Sequence, residues 1–167
     1  MSFVGEHNRL HYRGIELERG DLDEDQLKEA LLNIAVDQSD IDLPISEVEH
    51  EYAVMVQAAK QSVRYEYMAK GIPFYQYPDS LYEELEVLRK QAYRSVKTDR
   101  LLQGIIKEEH LEVSKEELET EGAASAERLD VTEEMARMFY GDDYGLLKRD
   151  LLRRKAIDLI YEYAVLY

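Results

Sequence analysis

The sequence predicts an all-α protein, and three observations support this prediction. The 167 residues include only three prolines and eight glycines, so few positions interrupt regular structure. Leu, Ala, Glu and Lys, which all favour helices, are common along the chain. Apolar residues also recur at spacings of three and four over long stretches, as they do on one face of an amphipathic helix.

The composition excludes several functional classes. The chain carries 21 basic and 36 acidic residues, and this net charge of −15 argues against binding to nucleic-acid backbones or to anionic membranes. The absence of cysteine excludes disulfides, thiolate metal sites and a cysteine nucleophile. No apolar run approaches the roughly 20 residues that span a bilayer, and charges interrupt residues 1–20. We therefore expect a soluble cytoplasmic protein with neither nucleic-acid nor membrane partners.

The N-terminal part divides into an irregular segment and a first helix. Residues 1–20 are predicted to be irregular or to form a short extended segment, because polar and apolar residues alternate around Tyr12 and Ile15. The pattern then changes to helical spacing over residues 21–39, where acidic residues crowd the start and suit the helix dipole. This helix should end before Pro44, since a residue that precedes proline avoids helical geometry.

Two long helices should follow. The second begins near Pro44 and ends near Lys70, with a seam at coiled-coil spacing formed by Ile45, Val48, Tyr52, Met55, Ala59 and Ser62. The third begins at Asp79 and ends near His110, with an apolar stripe formed by Leu81, Leu85, Leu88, Ala92 and Val96. At 1.5 Å per residue this helix would be roughly 45 Å long, which indicates an arm or a long bundle.

Three shorter helical pieces complete the chain. A capping box over residues 114–117 predicts the start of a fourth helix, which Gly122 should kink or split. Thr132 should cap a further piece that ends near Tyr140. The last helix should extend from about Leu146 to the C-terminus. We thus predict one helical domain over residues 21–167.

The order of several segments resembles a known family. Four stretches are similar, in the same order, to the C-terminal domain of bacterial trigger factors: residues 40–49, 96–106, 108–118 and 147–160. The resemblance implies an elongated multi-helix domain with two helical arms. It also implies an ATP-independent chaperone module that holds unfolded or nascent polypeptides in a cradle between the arms.

The N-terminal region extends the resemblance. Residues 12–18 and 23–25 are similar to the linker that precedes the FKBP-type isomerase domain of trigger factors, and residues 30–36 are similar to the helix that follows that domain. The resemblance implies that residues 21–39 fuse these two parts and that the isomerase domain is absent. The Gly-Phe-Arg loop that docks on the ribosome is also missing from the sequence.

Two clusters of aromatic and methionine residues are the candidate polypeptide-binding sites. They surround two breaks between helices and comprise Tyr65, Tyr67, Phe74, Tyr75, Tyr77 and Tyr82 in the first cluster, and Met135, Met138, Phe139, Tyr140 and Tyr144 in the second. Ordinary packing at helix junctions is the alternative explanation. The resemblance places both clusters at the ends of arms, where there is little core to fill. Tyr and Met, when exposed, suit promiscuous recognition.

Two patterns in the sequence raise metal binding as an alternative function. Glu47 and His50 form a Glu-x-x-His unit of the kind found in carboxylate-bridged metal bundles, but the second unit is missing at His110, which has a lysine three residues earlier. The acidic run over residues 108–121 lacks a calcium-loop pattern and is interpreted as a solvated face. No metal site is therefore expected.

The remaining features indicate binding rather than catalysis. The basic cluster over residues 148–155 is expected to pair with acidic neighbours, with contact to an acidic partner as the alternative. No catalytic constellation or nucleotide loop is evident, so we expect neither an enzyme nor a cofactor. A dimeric helical scaffold remains an alternative function, with a homodimer as its assembly. For a chaperone, the negative charge predicts a preference for basic clients.

Overall fold

The computed structural model describes residues 8–167, and these residues form six α-helices and two short β-strands. In chain order the elements are β1 (Glu16–Leu17), α1 (Glu24–Gln38), α2 (Ile45–Ala69), α3 (Asp79–Glu108), α4 (Lys115–Arg128), α5 (Glu133–Tyr140), α6 (Gly145–Glu162) and β2 (Val165–Leu166). The prediction of an all-α fold is confirmed. Residues 1–7, the beginning of the predicted N-terminal segment, lie outside the described residues.

The described chain forms two compact units. Unit 1 comprises residues 8–9 and 40–100, and unit 2 comprises residues 10–39 and 101–167. Helix α3 contributes its first part to unit 1 and its last two turns to unit 2. Each unit is defined by the contacts among its own residues.

In unit 1, α2 and the first part of α3 run antiparallel. Arg100 pairs with Glu47 in the first turn of α2, and the Ser95 hydroxyl donates a hydrogen bond of 3.1 Å to Glu51. At the other end, the loop that joins the helices contacts the last turns of α2 through the rings of Phe74 and Tyr67. The two helices are therefore held at both ends by side-chain contacts.

The apolar seam predicted for α2 is only partly correct. No residue of α2 is buried, and the half-buried members of the seam are Val48, Tyr52, Met55 and Ala59. Ile45 is 80% exposed and Ser62 is exposed as well, so the seam does not extend to its predicted ends. Within unit 1, α2 packs against a single helix, α3. One neighbouring helix can bury only a narrow face of α2, so its other residues stay exposed. The stripe of α3 is better buried, at Leu81, Ala92 and Val96.

The end of α2 is fixed by local backbone geometry. Gly71 has a positive φ of 65°, and the amides of Gly71 and Ile72 bond to the carbonyls of Met68 and Tyr67, respectively. This is a Schellman motif, in which glycine is favoured because left-handed geometry costs it nothing. The motif turns the chain sharply into the loop before Pro78.

In unit 2, helices α1 and α6 form one part of the packing, together with the short strands β1 and β2. These helices pack against each other, and Lys28 of α1 pairs with Asp158 of α6 at 2.8 Å. Beside them β1 and β2 pair in parallel, with Glu16 opposite Val165. The prediction of a helix to the C-terminus is thus wrong for the last residues, because a distant strand supplies their hydrogen-bond partners.

Helices α4, α5 and α6 form a second cluster in unit 2. Ser114 and Glu117 form the predicted capping box, and Thr132 caps α5 as expected. The predicted break at Gly122 is wrong, because α4 is continuous over Lys115–Arg128. Gly122 instead lies directly beneath the Tyr144 ring, where any Cβ would overlap ring atoms.

Candidate functional site

The first aromatic cluster lies where α2 meets α3, entirely within unit 1. Three of its rings hold the loop on α2 by edge-to-face contacts. Phe74 is 5.6 Å from Tyr67 and 4.9 Å from Tyr77, measured between ring centroids, and all three rings are half-buried. These geometries are the favoured ones for aromatic pairs. Tyr67, Phe74 and Tyr77 therefore pack against each other and stabilise the junction.

The other three rings of this cluster face solvent. Tyr65 is 61%, Tyr75 is 88% and Tyr82 is 58% exposed. Met68 and Ile72, which sequence reasoning missed, are 73% and 49% exposed beside them. Both residues lie within three positions of Gly71, and this closeness to the predicted helix break could have identified them as part of the cluster. We call the five exposed residues, Tyr65, Met68, Ile72, Tyr75 and Tyr82, the junction surface.

Two cations and two amides accompany the inner rings. The Lys60 ammonium lies 5.6 Å from the centroid of the Tyr77 ring. The Arg64 guanidinium lies 5.5 Å from the ring centroid of Phe74 and 5.6 Å from that of Tyr77. Such cation–π contacts fix the two side chains over the rings. Together with Gln57 and Gln61, they line an open cavity of about 310 Å³.

The second cluster lies on α5 in unit 2, and most of it is exposed. Met135 is 46%, Met138 is 82% and Phe139 is 66% exposed, whereas Tyr140 is half-buried. Leu146, at the start of α6, is 68% exposed. Only Ala136 of this short helix is buried. We call Met135, Met138, Phe139 and Leu146 the α5 surface.

Tyr144 does not belong to any exposed surface. It is fully buried in the cluster with Ala126, Ala136 and Leu147. Arg137 covers the ring, with its guanidinium 4.5 Å from the ring centroid. Of the predicted binding residues, Tyr144 is therefore a core residue, and the close approach to Gly122 explains why an aromatic ring fits there.

The Glu-x-x-His unit of Glu47 and His50, considered above as an alternative metal site, makes other contacts. Both carboxylate oxygens of Glu47 accept hydrogen bonds from the Arg100 guanidinium, one of them from Nε at 3.0 Å, whereas His50 is exposed. Within residues 8–167 no three His, Asp or Glu side chains come together to hold a metal ion. Glu47 thus has a partner that joins α2 to α3.

The acidic run after α3 is not merely a solvated face. Glu121 accepts hydrogen bonds from Arg154 and Arg128, and these two cations lower its pKa from the ordinary 4.5 to about 2. Glu117 pairs with Lys155 at 2.6 Å, and its pKa is lowered mainly by that contact. Glu119 pairs with Arg137 at 2.6 Å. The run therefore ties α4 to α5 and α6.

The basic residues of α6 accordingly have internal partners. Arg154 and Lys155 meet the carboxylates of α4, and Lys155 also donates to the backbone carbonyl of Glu112 at 2.7 Å. Arg149 and Arg153 have interaction partners too. The expectation that this cluster pairs with acidic neighbours is confirmed for Arg154 and Lys155.

A separate polar cluster in unit 2 joins the segment before β1 to the end of α3 and to the residue after α6. The Tyr12 hydroxyl donates a hydrogen bond of 2.5 Å to Glu109, and Arg13 pairs with the same carboxylate. The Arg13 guanidinium also lies 4.8 Å from the centroid of the Tyr163 ring. Burial, and then the bond to Glu109, raise the pKa of Tyr12. This cluster is structural, since each of its polar groups meets another.

Across residues 8–167 the helices are too short or too polar for any of them to cross a membrane.

Comparison with known proteins shows that the chain is similar to the C-terminal part of bacterial trigger factors. The model of the bacterial trigger factor protein C-terminus matches residues 14–162. The chain is 29% identical to trigger factor of Clostridium tetani over 143 residues and 30% identical to that of Bacillus pumilus over 142 residues. These matches cover 82% and 83% of this chain but only 32% of each relative. The chain thus spans about a third of the length of these curated relatives.

A solved structure shows the same fold. It is described as structures of, and interactions between, domains of trigger factor from Thermotoga maritima. The TM-score is 0.61 at 20% sequence identity, and the match covers 93% of each chain.

Proposed function

The chain belongs to the bacterial trigger factor C-terminal family, which is chaperone-related, and we propose that it is an ATP-independent chaperone module for unfolded or partly folded polypeptides. The observation that supports this most is the exposure of large apolar side chains in two groups. In the junction surface Tyr75 is 88% exposed, and in the α5 surface Met138 is 82% exposed. Contiguous exposed apolar side chains are characteristic of protein-binding sites.

The residue types suit variable partners. Tyrosine offers an apolar ring together with a polar hydroxyl, and methionine is flexible and polarisable. Such surfaces can adapt to different sequences, whereas a shaped pocket selects one. Each contact contributes little, so binding would be passive and reversible. Clients would include nascent chains, and the site of action would be the cytoplasm.

We also propose that the module is not an enzyme. The family match concerns the trigger factor C-terminus, and a prolyl isomerase needs a shaped apolar pocket around the peptide bond. A tetrapeptide assay of X-Pro isomerisation should show no acceleration by this chain. Turnover that scales with protein concentration would contradict this part of the proposal.

The net charge should influence which clients arrive first. A charge of −15 attracts basic chains over a distance of about a Debye length, which is ~10 Å at 0.1 M salt and ~3 Å at 1 M. Stopped-flow binding of reduced lysozyme, which is basic, and reduced α-lactalbumin, which is acidic, tests this. The basic client should bind faster at low salt and lose that advantage at 1 M. Equal association rates at low salt would mean that the charge serves solubility alone.

The test of chaperone function is suppression of client aggregation at defined stoichiometry. Light scattering first establishes the oligomeric state, because a dimer that covers both surfaces would leave nothing to bind clients. The wild-type chain should suppress aggregation of guanidine-unfolded lysozyme upon dilution. The double variant Met68→Ser, Tyr75→Ser should suppress it less, since it removes two of the most exposed apolar groups of the junction surface.

A matched control removes equally exposed apolar groups elsewhere. Ile45 is 80% and Tyr167 is 72% exposed, and neither belongs to the junction or the α5 surface. The double variant Ile45→Ser, Tyr167→Ser should behave as the wild type does. Equal loss in both double variants would show that exposed apolar area in general, and not the junction surface, holds the client.

A further inference from the structure

The segment around the junction has the opposite charge to the chain as a whole. Residues 52–78 contain three basic residues, Lys60, Arg64 and Lys70, and a single acidic residue, Glu66, which gives a net charge of +2. Glu66 pairs with Lys70. In a chain with a net charge of −15, residues 52–78 are therefore a stretch of the sequence with net positive charge.

Lys60 and Arg64 have no acidic partner in the part of the chain that the structure describes. Lys60 and Arg64 are four residues apart on α2. Their other neighbours at three and four residues' distance are all uncharged: Val56, Gln57, Gln61, Val63, Tyr67 and Met68. In unit 2, by contrast, Arg128, Arg137 and Arg154 each meet a carboxylate. Lys60 and Arg64 instead rest on the faces of Phe74 and Tyr77.

This arrangement holds two cations close together at one cavity. They lie one helical turn apart on α2, and both have Tyr77 as a neighbour within 6 Å. Like charges at this spacing repel each other, so a shared anion would stabilise the pair. Gln57 and Gln61, on the same face, add amide donors to the cavity wall.

We propose that the cavity lined by Gln57, Lys60, Gln61, Arg64 and Tyr77 is a carboxylate-binding subsite for acidic residues of an extended polypeptide. The carboxylate would accept charge-assisted hydrogen bonds from Lys60 and Arg64, while the neighbouring client residues contact the junction surface. A volume of about 310 Å³ accommodates an Asp or Glu side chain with part of its backbone. The inference rests on the proposed chaperone function and adds a client feature to it.

The subsite predicts a preference for acidic residues in the client, whereas the overall negative charge predicts a preference for basic clients. Long-range attraction favours basic chains, but it is screened within about 8 Å at physiological ionic strength. Contact at the cavity is local, and it would select client segments in which an acidic residue lies near apolar ones. Capture rate and residence at the junction would therefore depend on different features of a client.

The experiment compares two fluorescein-labelled 12-residue peptides at 0.15 M NaCl by fluorescence anisotropy. Both consist of Gly, Ser, Leu and Phe, and two central positions are Glu in one peptide and Gln in the other. The full chain should bind the Glu peptide about tenfold more tightly, because a hydrogen bond to a charged group contributes at least that factor. The variant Lys60→Gln, Arg64→Gln should bind both peptides equally.

The control variant Lys90→Gln, Lys107→Gln removes the same charge from exposed lysines outside the cavity and should keep the tenfold preference. Equal affinity of the wild type for both peptides would overturn the subsite. Tighter binding of a 12-nucleotide single-stranded RNA through Lys60 and Arg64, without a preference for the Glu peptide, would overturn it in favour of phosphate. Failure to bind either peptide would also overturn it, whereas loss of aggregation suppression is what tests the chaperone function itself.

Discussion

The two units of the molecule bury their apolar residues to very different extents. Of the 19 apolar residues buried among residues 8–167, 15 belong to unit 2 and only four, Ile41, Leu81, Ala92 and Val96, to unit 1. Unit 2 contains seven of the elements in whole or in part, and α4, α5 and α6 each have at least two neighbouring helices there. In unit 1, α2 has one neighbouring helix and no buried residue.

Unit 1 is instead held largely by polar and aromatic contacts. Arg100 and Arg89 pair with Glu47 and Glu49, and the Arg89 guanidinium lies 4.1 Å from the centroid of the Tyr52 ring. Exposed ion pairs contribute only about 0.2–1 kcal/mol each. We therefore expect stability to come mainly from unit 2, because unit 1 buries few of its apolar side chains.

A matched pair of leucine substitutions tests this difference most strongly. Leu101→Ala in unit 2 removes a side chain with no exposed surface and should cost about 2–5 kcal/mol of unfolding free energy. Leu85→Ala removes a half-buried side chain of α3 in unit 1 and should cost about 1 kcal/mol. Urea denaturation measures both. Equal costs would mean that the two units are packed alike.

The contact between Gly122 and Tyr144 provides a second test within unit 2. Gly122→Ala places a methyl group against the buried ring and should destabilise the chain by about 1–3 kcal/mol, although alanine favours helix. Thermal unfolding followed by circular dichroism measures the loss. Tyr144→Phe is the control, because it keeps the ring and removes a hydroxyl that has no hydrogen-bond partner within residues 8–167. A Gly122→Ala variant as stable as the wild type would contradict the close packing.

The ion pairs of Glu121 make unit 2 sensitive to acid. Because folding lowers the pKa of Glu121 to about 2, its stabilising effect is complete above its ordinary pKa of 4.5 and is lost as the pH falls towards 2. Glu121→Gln should therefore cost about 2 kcal/mol at pH 7 and almost nothing near pH 2. Urea denaturation at a series of pH values measures this difference. A cost that does not change with pH would contradict the ionic origin of the contact.

The ion pairs of unit 1 should matter less and should respond to salt. Arg100→Gln removes a pair in which the side chains are 30% and 43% exposed, so we expect a loss of about 0.5 kcal/mol at low salt. At 1 M NaCl the difference should shrink further, since a Debye length of ~3 Å screens the pair. Lys90→Gln, at an exposed lysine of the same unit, serves as the control. A salt-independent loss above about 2 kcal/mol would mean that unit 1 depends on this pair far more than its exposure indicates.

Helix starts could be predicted from the sequence because the signals that define them are local. Asp23, Pro44, Ser114 and Thr132 each precede a helix by one position. The side chains of Asp23, Ser114 and Thr132 accept a hydrogen bond from the amide three positions later, and the fixed φ of Pro44 suits a helix start. The aromatic residues at the junction could also be identified, since they surround the Gly71 turn. Local chemistry thus sufficed for the order of the helices and for most of their starts, but not for the end of α6 or for the continuity of α4.

Features that depend on distant residues could not be predicted. The β1–β2 pairing joins Glu16 to Val165, and the ring that packs against Gly122 of α4 comes from Tyr144. No periodic pattern indicates either partner. The sequence equally gives no sign that Tyr144 is buried while Phe139, five residues earlier, is 66% exposed. Burial depends on which helices become neighbours, and single-helix patterns do not specify that.

Hydrogen–deuterium exchange on the full chain, with and without an excess of reduced lysozyme, tests the central claim most directly. Residues 74–77 lie between the Schellman motif and α3, outside the helices, and their amides should exchange rapidly in the free chain. We predict that the client slows exchange there and in α5, while α1 and α6 exchange as before. Protection confined to α1 and α6, or spread evenly along the chain, would contradict the assignment of client binding to the exposed junction and α5 surfaces.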